Sequence, residues 1–432
     1  MTLPTTISQL ISNPSSMDDY DPNAMSVTKA RQFIQQFLSP VTETEQLPIL
    51  EALGRVIATD ILSPANVPNY DNSAMDGYAL NAQDIEASAL TRLKVAGTAF
   101  AGKGFSGEIT RGECVRIMTG AAMPKGTDTV IVQEKISLEK TADGDAYIRF
   151  SEPPKPRMNV RYAGEDLKQG QTVLAAGHLM RPADLGLIAS LGIASVNVYR
   201  KLKVAIFSTG DELVSIGTPL ETGQVYDSNR YTLYGMLTRL GVEIIDLGAI
   251  ADDPALLEST LLSAANQADV VITSGGVSVG EADYMKLLLA KHGQVMFWKI
   301  AMKPGRPLAY GKVGNAHYFG LPGNPVAVMV TFYQFAREAI LRLMGQTSPA
   351  NLPMFKVECT QSIKKLTGRT EFQRGILFCD SDGIWRVKPT GAQGSALLSS
   401  MSLANSFIVL DEMIGNLEAG ALVQVQVLDG VV

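Results

Sequence analysis

Cysteine and histidine are scarce in this chain, and their scarcity excludes several kinds of chemistry. Cys114, Cys359 and Cys379 stand far apart with no CxxC spacing, so neither a disulfide framework nor a thiolate zinc site is expected. A reducing compartment fits that usage. His178, His292 and His317 are equally dispersed, which leaves little for a histidine metal centre or a Ser-His triad, since both need clustered ligands or a positioned base. Long apolar runs are missing too. The early pair Leu10 and Ile11 is too short for a signal core or a membrane span, and no positive charge precedes Lys29, so a cytoplasmic protein without membrane contact is expected. Basic charge is also limited. With 37 Lys and Arg against 43 Asp and Glu, a formal charge of −6 and no long basic run, bulk binding to nucleic acid is not expected.

What is present is enough apolar residue for several cores. At 432 residues and 46% hydrophobic content, about two to four domains are expected. Residues 1–25 are rich in Ser, Pro, Asn and Asp and are taken as a disordered tail. Residues 26–37 carry helical spacing at Val27, Ala30, Ile34 and Phe37. Residues 26–60 and 165–200 have a mixed pattern and flank a stretch, 61–164, of short β-type runs such as Val130-Ile-Val132, broken by Gly, Pro and Asp turns. A β-rich inserted domain follows from that layout.

From 201 to 348 the pattern alternates between strands and helices. Strand candidates at Lys203–Phe207, Val242–Leu247, Asp269–Thr273 and His317–Leu321 are separated or followed by helical patterns near 228–240, 254–267, 283–291 and 325–344. This predicts a parallel α/β domain. Residues 349–432 turn β-patterned again, as a small barrel or sandwich. The fold class is thus multidomain α/β, with the parallel domain in the middle.

Ligands of such sheets bind outside the carboxyl ends of the strands. Four segments fall there: Ser208-Thr209-Gly210-Asp211-Glu212, Gly248 to Asp253, the turn at Gly275 and Gly276, and Leu321-Pro322-Gly323-Asn324-Pro325. Two of them are glycine turns that run into helices, so backbone N–H groups can converge on phosphate-like oxygens. Neither has the Lys-Ser/Thr of a Walker loop or the spacing of a dinucleotide fingerprint. The bland alternative is turn chemistry alone: Gly275, Gly276 and Gly280 permit a tight turn, Asn324 is an N-cap and Pro325 a first helical residue. Between the turns lie Lys299, Lys303 and Arg306, the last on a backbone stiffened by Gly305 and Pro307 and suited to bidentate oxyanion binding. Asp211, Glu212, Asp252, Asp253 and Asp283 gather on the same edge. Acids beside an anion site point to a bridging Mg²⁺, because that ion takes carboxylate, phosphate and water oxygens. Taken singly, each acid is equally explained as a cap or a surface charge. In the β-rich segment, Ser73-Ala-Met-Asp76-Gly-Tyr78 and Arg116-Ile-Met-Thr119-Gly-Ala121 surround one Asp or Thr with small residues, which turn chemistry also explains.

These stretches, with Val160 to Asp166, Phe207 to Leu213, Thr273 to Asp283, Lys299 to Pro307 and Gly320 to Pro325, resemble in order the signatures of the MoeA family, related to the E domain of gephyrin. The resemblance covers the chain from about residue 26 to its end. It implies a molybdopterin molybdenumtransferase that inserts molybdate into adenylylated molybdopterin, with Mg²⁺-dependent release of AMP. It also implies a homodimer, with residues 26–60 and 165–200 as the linking and dimerising part, a C-terminal β-barrel, and a cleft shared between the α/β domain of one subunit and the insert of the other. A molybdopterin adenylyltransferase and molybdenum apoenzymes are the further partners it suggests. By motif position it implies roles for Asp76, Thr119, Asp166, Glu212, Asp252, Asp253, Asp283, Lys299, Lys303, Pro322, Pro325 and Ser395. Ser208, Thr209, Gly210, Gly275, Gly276, Ser278, Arg306, Gly323 and Asn324 complete the expected substrate contacts. Two features depart from the pattern: the tail is longer, and Gly394-Ser-Ala396 stands where Gly-Ser-His is familiar. Two other functions stay open on the same residues: an adenylyltransferase, which would be expected to lack the insert and the C-terminal domain, and a non-enzymatic scaffold.

Overall fold

Strands buried on both faces organise the centre of the molecule. The computed structural model describes residues 24–88, 92–276, 284–349 and 351–428. In the α/β domain we label β1 (Lys203–Thr209), α1 (Ser228–Leu240), β2 (Glu243–Ile250), α2 (Pro254–Gln267), β3 (Val270–Ser274), α3 (Tyr284–His292), β4 (Gly293–Lys299), β5 (Pro307–Val313), β6 (Ala316–Leu321), α4 (Pro325–Thr331) and α5 (Arg337–Leu343). The sheet order is β2-β1-β3-β6-β5-β4, and β2, β1, β3 and β6 are parallel. Residues of β1, β3 and β6 alternate between two cores. Val204, Ile206, Val270, Ile272 and Phe319 pack against α1, α4 and α5, while Ala205, Phe207, Val271 and Tyr318 pack against α2 and α3. That two-sided burial is why these strands read as continuous apolar runs.

The sequence pattern did not show β4 and β5. They extend the sheet antiparallel, Lys299 opposite Pro307. Because β5 reverses direction, β4 ends on the same edge as the parallel strands, which puts Lys299 and Arg306 on the carboxyl edge. The single helix expected over 325–344 is interrupted by a π-turn at Phe332–Ala336, where Arg31 Nε donates to the Gln334 carbonyl at 2.9 Å.

The N-terminal helix, Val27–Gln35, starts at the Ser26 cap and buries Val27, Ala30, Phe33 and Ile34 in the α/β core, Phe33 edge-on to Trp298. The tail expected over 1–25 falls mostly outside the described residues. Met25 corrects its end: its N–H donates to the Lys299 carbonyl at 2.9 Å, and its carbonyl accepts from Ala301 at 2.8 Å.

Two flanking segments share one small core, Ala52, Ile57 and Ile61 packing with Leu174, Ile188 and Val198. The insert between them is a six-stranded sheet. In the C-terminal domain Thr370–Cys379, Trp385–Pro389, Met354–Cys359, Leu422–Val427 and Ser406–Leu410 pair in that order. Thr370–Cys379 also pairs with Ser406–Leu410, which closes a five-stranded barrel. Met302 and Lys303 of the α/β domain add to it, in parallel with Thr370 and Glu371. Among the described residues no helix is long and apolar enough to cross a membrane.

Candidate active site

The carboxyl edge of the sheet and the rim of the barrel enclose a cleft of about 1210 Å³. Thr209, Gly210 and Glu212 reach it after β1, Asp252 after β2, Gly275 and Gly276 after β3, and Pro322, Gly323 and Asn324 after β6. Lys303 and Arg306 enter from the β4–β5 connection. The barrel supplies Arg369, Gln393, Gly394 and Ser395.

Two glycines are required by geometry. Gly275 has φ +90°, and a Cβ there would stand 2.7 Å from the Thr209 carbonyl oxygen. Gly210 has φ +147°, and its Cβ would meet the Glu212 carboxylate at 2.5 Å. Bare backbone therefore faces the cleft at both turns.

Among the acids, Glu212 and Asp252 line the cleft. Partial desolvation, followed by the neighbouring charges of Asp211 and Glu212, pushes the Asp252 carboxyl above the usual carboxylate range. Asp211 is otherwise engaged, accepting from the Asp252 N–H at 2.9 Å. Asp253 caps α2, its Oδ1 accepting from the Leu256 N–H at 2.8 Å, and stands outside the lining. Asp283 and Ser278 lie outside the described residues. Among those described, no group of three His, Cys, Asp or Glu has the geometry to hold a metal by itself. Glu212 and Asp252 nonetheless fit Mg²⁺ as donors, since that ion is held by one or two carboxylates together with water and substrate oxygens. A cation there would relieve the crowding that raises Asp252.

Lys303 projects exposed into the cleft, Arg306 is half-buried, and Arg369 sits beside Glu371 at 3.2 Å. Lys299 ends β4, but its half-buried side chain is outside the lining. Ser208 is outside the lining: it is 1% exposed and donates its hydroxyl to Asp227 at 2.9 Å. Asn324 takes the N-cap position of α4, but its side chain makes no cap bond, leaving its amide at the cleft wall. Pro325 is the first residue of α4, as expected of a proline, and is not in the lining. Ser395 lines the cleft, and its carbonyl accepts from the Val326 N–H at 3.0 Å, so the departure at Gly394-Ser-Ala396 leaves the serine in place.

The insert carries a separate pair. Asp76 Oδ1 accepts from both the N–H and the hydroxyl of Thr119, each at 2.7 Å. The backbone N–H, then the hydroxyl, hold that carboxyl below its usual range. Both residues are exposed and neither lines the cleft of this chain; nor does Asp166, whose N–H donates to the Val67 carbonyl at 3.0 Å.

Arg369 and Gln393 were not foreseen. Their place depends on the pairing of Met302–Lys303 with Thr370–Glu371, for which there is no local signal. Arg374 was missed too. Fully buried, it donates to the carbonyls of Gln393 at 3.1 Å, Ala392 at 3.2 Å and Gly394 at 2.9 Å, and so shapes the loop that brings Ser395 to the cleft.

Comparison with known proteins agrees with this architecture. The chain matches the MoeA N-terminal region (domain I and II) over residues 25–192, a probable molybdopterin binding domain over 205–342, and the MoeA C-terminal region (domain IV) over 356–428. It is 49% identical to a molybdopterin molybdenumtransferase of Haemophilus influenzae, across 93% of this chain and 98% of that protein. It is 32% identical to gephyrin of Dictyostelium discoideum, across 88% of this chain and 59% of that protein. A crystal structure of the molybdopterin biosynthesis MoeA protein of Pyrococcus horikoshii superposes with a TM-score of 0.80 at 29% identity, covering 94% of this chain and all of that one. On sequence, domain order and fold together, the chain belongs to the MoeA family.

Proposed function

We propose that this protein is a molybdopterin molybdenumtransferase, which inserts molybdate into adenylylated molybdopterin and releases AMP. The observation that carries this is one cleft whose lining brings together the acids Glu212 and Asp252, the cations Lys303, Arg306 and Arg369, and the bare backbone of the glycine turns. Such a site suits a pyrophosphate linkage. Lys303 and Arg306 hold phosphate oxygens, Arg as a fork and Lys as a point charge, while the N–H groups of the glycine turns take the remaining oxygens. AMP leaves when an oxygen nucleophile, from water or molybdate, attacks phosphorus and the phosphoanhydride bond breaks. Glu212 and Asp252 would hold Mg²⁺, which when bound neutralises charge on the anhydride oxygens. Molybdate, itself a dianion, needs cationic neighbours, and Arg369 on the barrel rim offers one. No cysteine is among the described residues that line the cleft, which fits sulfur ligands supplied to the product's molybdenum by the pterin dithiolene.

The shared cleft belongs to the same proposal. Asp76 and Thr119 are preorganised on an exposed face away from this chain's cleft, which fits delivery by a partner subunit in a homodimer. Exposed apolar side chains on the α/β domain, Ile216, Tyr231 and Tyr234 among them, are surface that such a dimer could cover. A cytoplasmic location, and hand-over from an adenylyltransferase and on to molybdenum apoenzymes, complete the proposal. The insert and barrel weigh against an adenylyltransferase, and the acids and cations gathered in one cleft against a scaffold. Supplying adenylylated molybdopterin, molybdate and Mg²⁺ should give AMP and reconstitute a molybdenum apoenzyme. Absence of both from folded protein would sink the proposal. Adenylylation of molybdopterin from MgATP would favour the adenylyltransferase instead.

A further inference from the structure

We propose that Asn229 is a positioning residue that clamps the two ligand-facing glycine turns of the cleft at a set separation. It is the second residue of α1, and the start of that helix is tied to two strands. Asp227, the cap, accepts from the buried Ser208 hydroxyl of β1 at 2.9 Å and from the Arg230 N–H at 3.2 Å. Arg230 in turn reaches Asp246 of β2 at 2.6 Å. Asn229 therefore rests on a frame that does not depend on the turns.

From that frame its Nδ2 donates to Ser274 Oγ at 2.8 Å and to the Gly323 carbonyl at 2.7 Å. One amide nitrogen thus joins the end of β3 to the turn after β6. The orientation of the amide follows from chemistry, because the Gly323 carbonyl can only accept. Two contacts back the clamp: the Ser274 hydroxyl reaches the Pro322 carbonyl at 3.5 Å, and the Gly275 N–H donates to the Leu321 carbonyl at 3.2 Å. The other end of the amide, Asn229 Oδ1, is buried without a hydrogen-bond partner among the described residues. Leaving an acceptor in that condition works against stability. The arrangement therefore favours the geometry of the turns over the stability of the fold.

Gly275 and Gly276 line one part of the cleft and Gly323 another, so their separation determines where an anionic group sits. Small displacements of such groups cost rate steeply. Asn229 itself is outside the lining and acts through the turns.

The test compares wild type with Asn229→Ala and Asn229→Asp, the second keeping the shape but losing the donor toward Gly323. Hydrogen exchange of the amides at 275, 276, 323 and 324 should quicken in both variants by roughly tenfold, with little change elsewhere or in thermal stability. AMP release should lose roughly tenfold or more in kcat/KM. The kinetic part rests on the transferase proposal, and wild-type protein that releases no AMP would overturn that proposal. Unchanged exchange at the turns overturns the clamp by itself. So does a loss of activity no larger than the loss of folded protein.

Discussion

The two edges of the central sheet treat charge in opposite ways. At the amino edge, Arg200 meets both oxygens of Asp269 at 2.7 Å and also pairs with Glu43, while the Lys203 N–H donates to Asp269. Burial alone would raise the Asp269 carboxyl, but Arg200 and the Lys203 N–H outweigh it and hold it below the usual range. At the carboxyl edge, partial desolvation and the charges of Asp211 and Glu212 push Asp252 the other way. The first edge is balanced and fastens the linking segments to the α/β domain. The second leaves Asp252 partly desolvated beside two like charges, a condition that a cation or a proton relieves, and carboxyls perturbed in this way cluster at functional clefts.

The largest effect that could break this comparison is on turnover. Asp252→Asn and Glu212→Gln should each lower AMP release by roughly 10²–10³-fold, as expected when a group that stabilises developing charge is lost. The effect of Asp252→Asn on stability should have the opposite sign. The folded pKa of Asp252 lies above its unfolded value, so the stability linked to this group is fully present below the unfolded carboxylate range and declines as pH rises through the folded value. At neutral pH its charge slightly weakens the fold. Calorimetry in EDTA should therefore show Asp252→Asn at least as stable as wild type, and added Mg²⁺ should raise the Tm of wild type but not of the double variant. A variant clearly less stable in EDTA would show that these acids support the fold.

Next in size is the test of where Asp76 acts. Asp76→Ala and Lys303→Ala should each be nearly inactive alone. Mixed, unfolded and refolded together, they should recover about a quarter of wild-type activity in the proposed homodimer, where random pairing makes half the dimers hybrid and each hybrid has one intact shared cleft. No recovery from properly formed dimers would place Asp76 and Lys303 in the same subunit's site.

At the amino edge the expected effect is on stability. Arg200→Ala leaves Asp269 with only the Lys203 N–H and charge and should cost about 1–3 kcal/mol, read from denaturant unfolding, with turnover per folded molecule unchanged. Here the pH dependence is reversed. The folded pKa of Asp269 is depressed, so its contribution is present above the unfolded carboxylate range and is lost as pH falls through the folded value. Asp269→Asn should accordingly flatten the acid limb of a stability-versus-pH curve. If it instead lowered activity at constant stability, the amino edge would not be the purely structural one.

The carboxyl edge was legible in the sequence because β1, β3 and β6 are unbroken apolar runs that end in Gly- and Asp-rich turns, and α/β topology places such turns together. Less could be read where one residue type serves two ends. Asp252 and Asp253 are neighbours, and only the extended backbone at the cap position makes Asp253 the helix partner and leaves Asp252 to the cleft. The barrel's share of the cleft was hidden for a different reason. Lys303 and Arg369 line the same cleft through a two-residue parallel pairing, Met302 with Thr370 and Lys303 with Glu371, too short to leave a periodic trace. Met25 paired with Ile300 is the same kind of isolated long-range bridge. Asp76 and Thr119 stood out as one Asp and one Thr among small residues, but turn chemistry explains those surroundings equally well, and only the family resemblance gave them a role.

The smallest expected effect concerns Ser208, which lies in a motif that points at the cleft while its side chain points away. Ser208→Ala removes one buried hydrogen bond and should cost about 1 kcal/mol. The cost stays small because Asp227 keeps the Arg230 N–H at 3.2 Å and the Arg230 guanidinium at 3.1 Å, so no charge is stranded. Turnover and KM should match wild type, since Thr209 and Gly210, the next two residues, reach the cleft through a backbone that β1 holds on both sides. Parallel measurement of unfolding and AMP release decides it. A fall in turnover beyond the loss of folded protein would mean that the Ser208–Asp227 bond sets the position of the Thr209–Gly210 turn. The functional edge would then extend one layer deeper into the sheet than its lining residues mark.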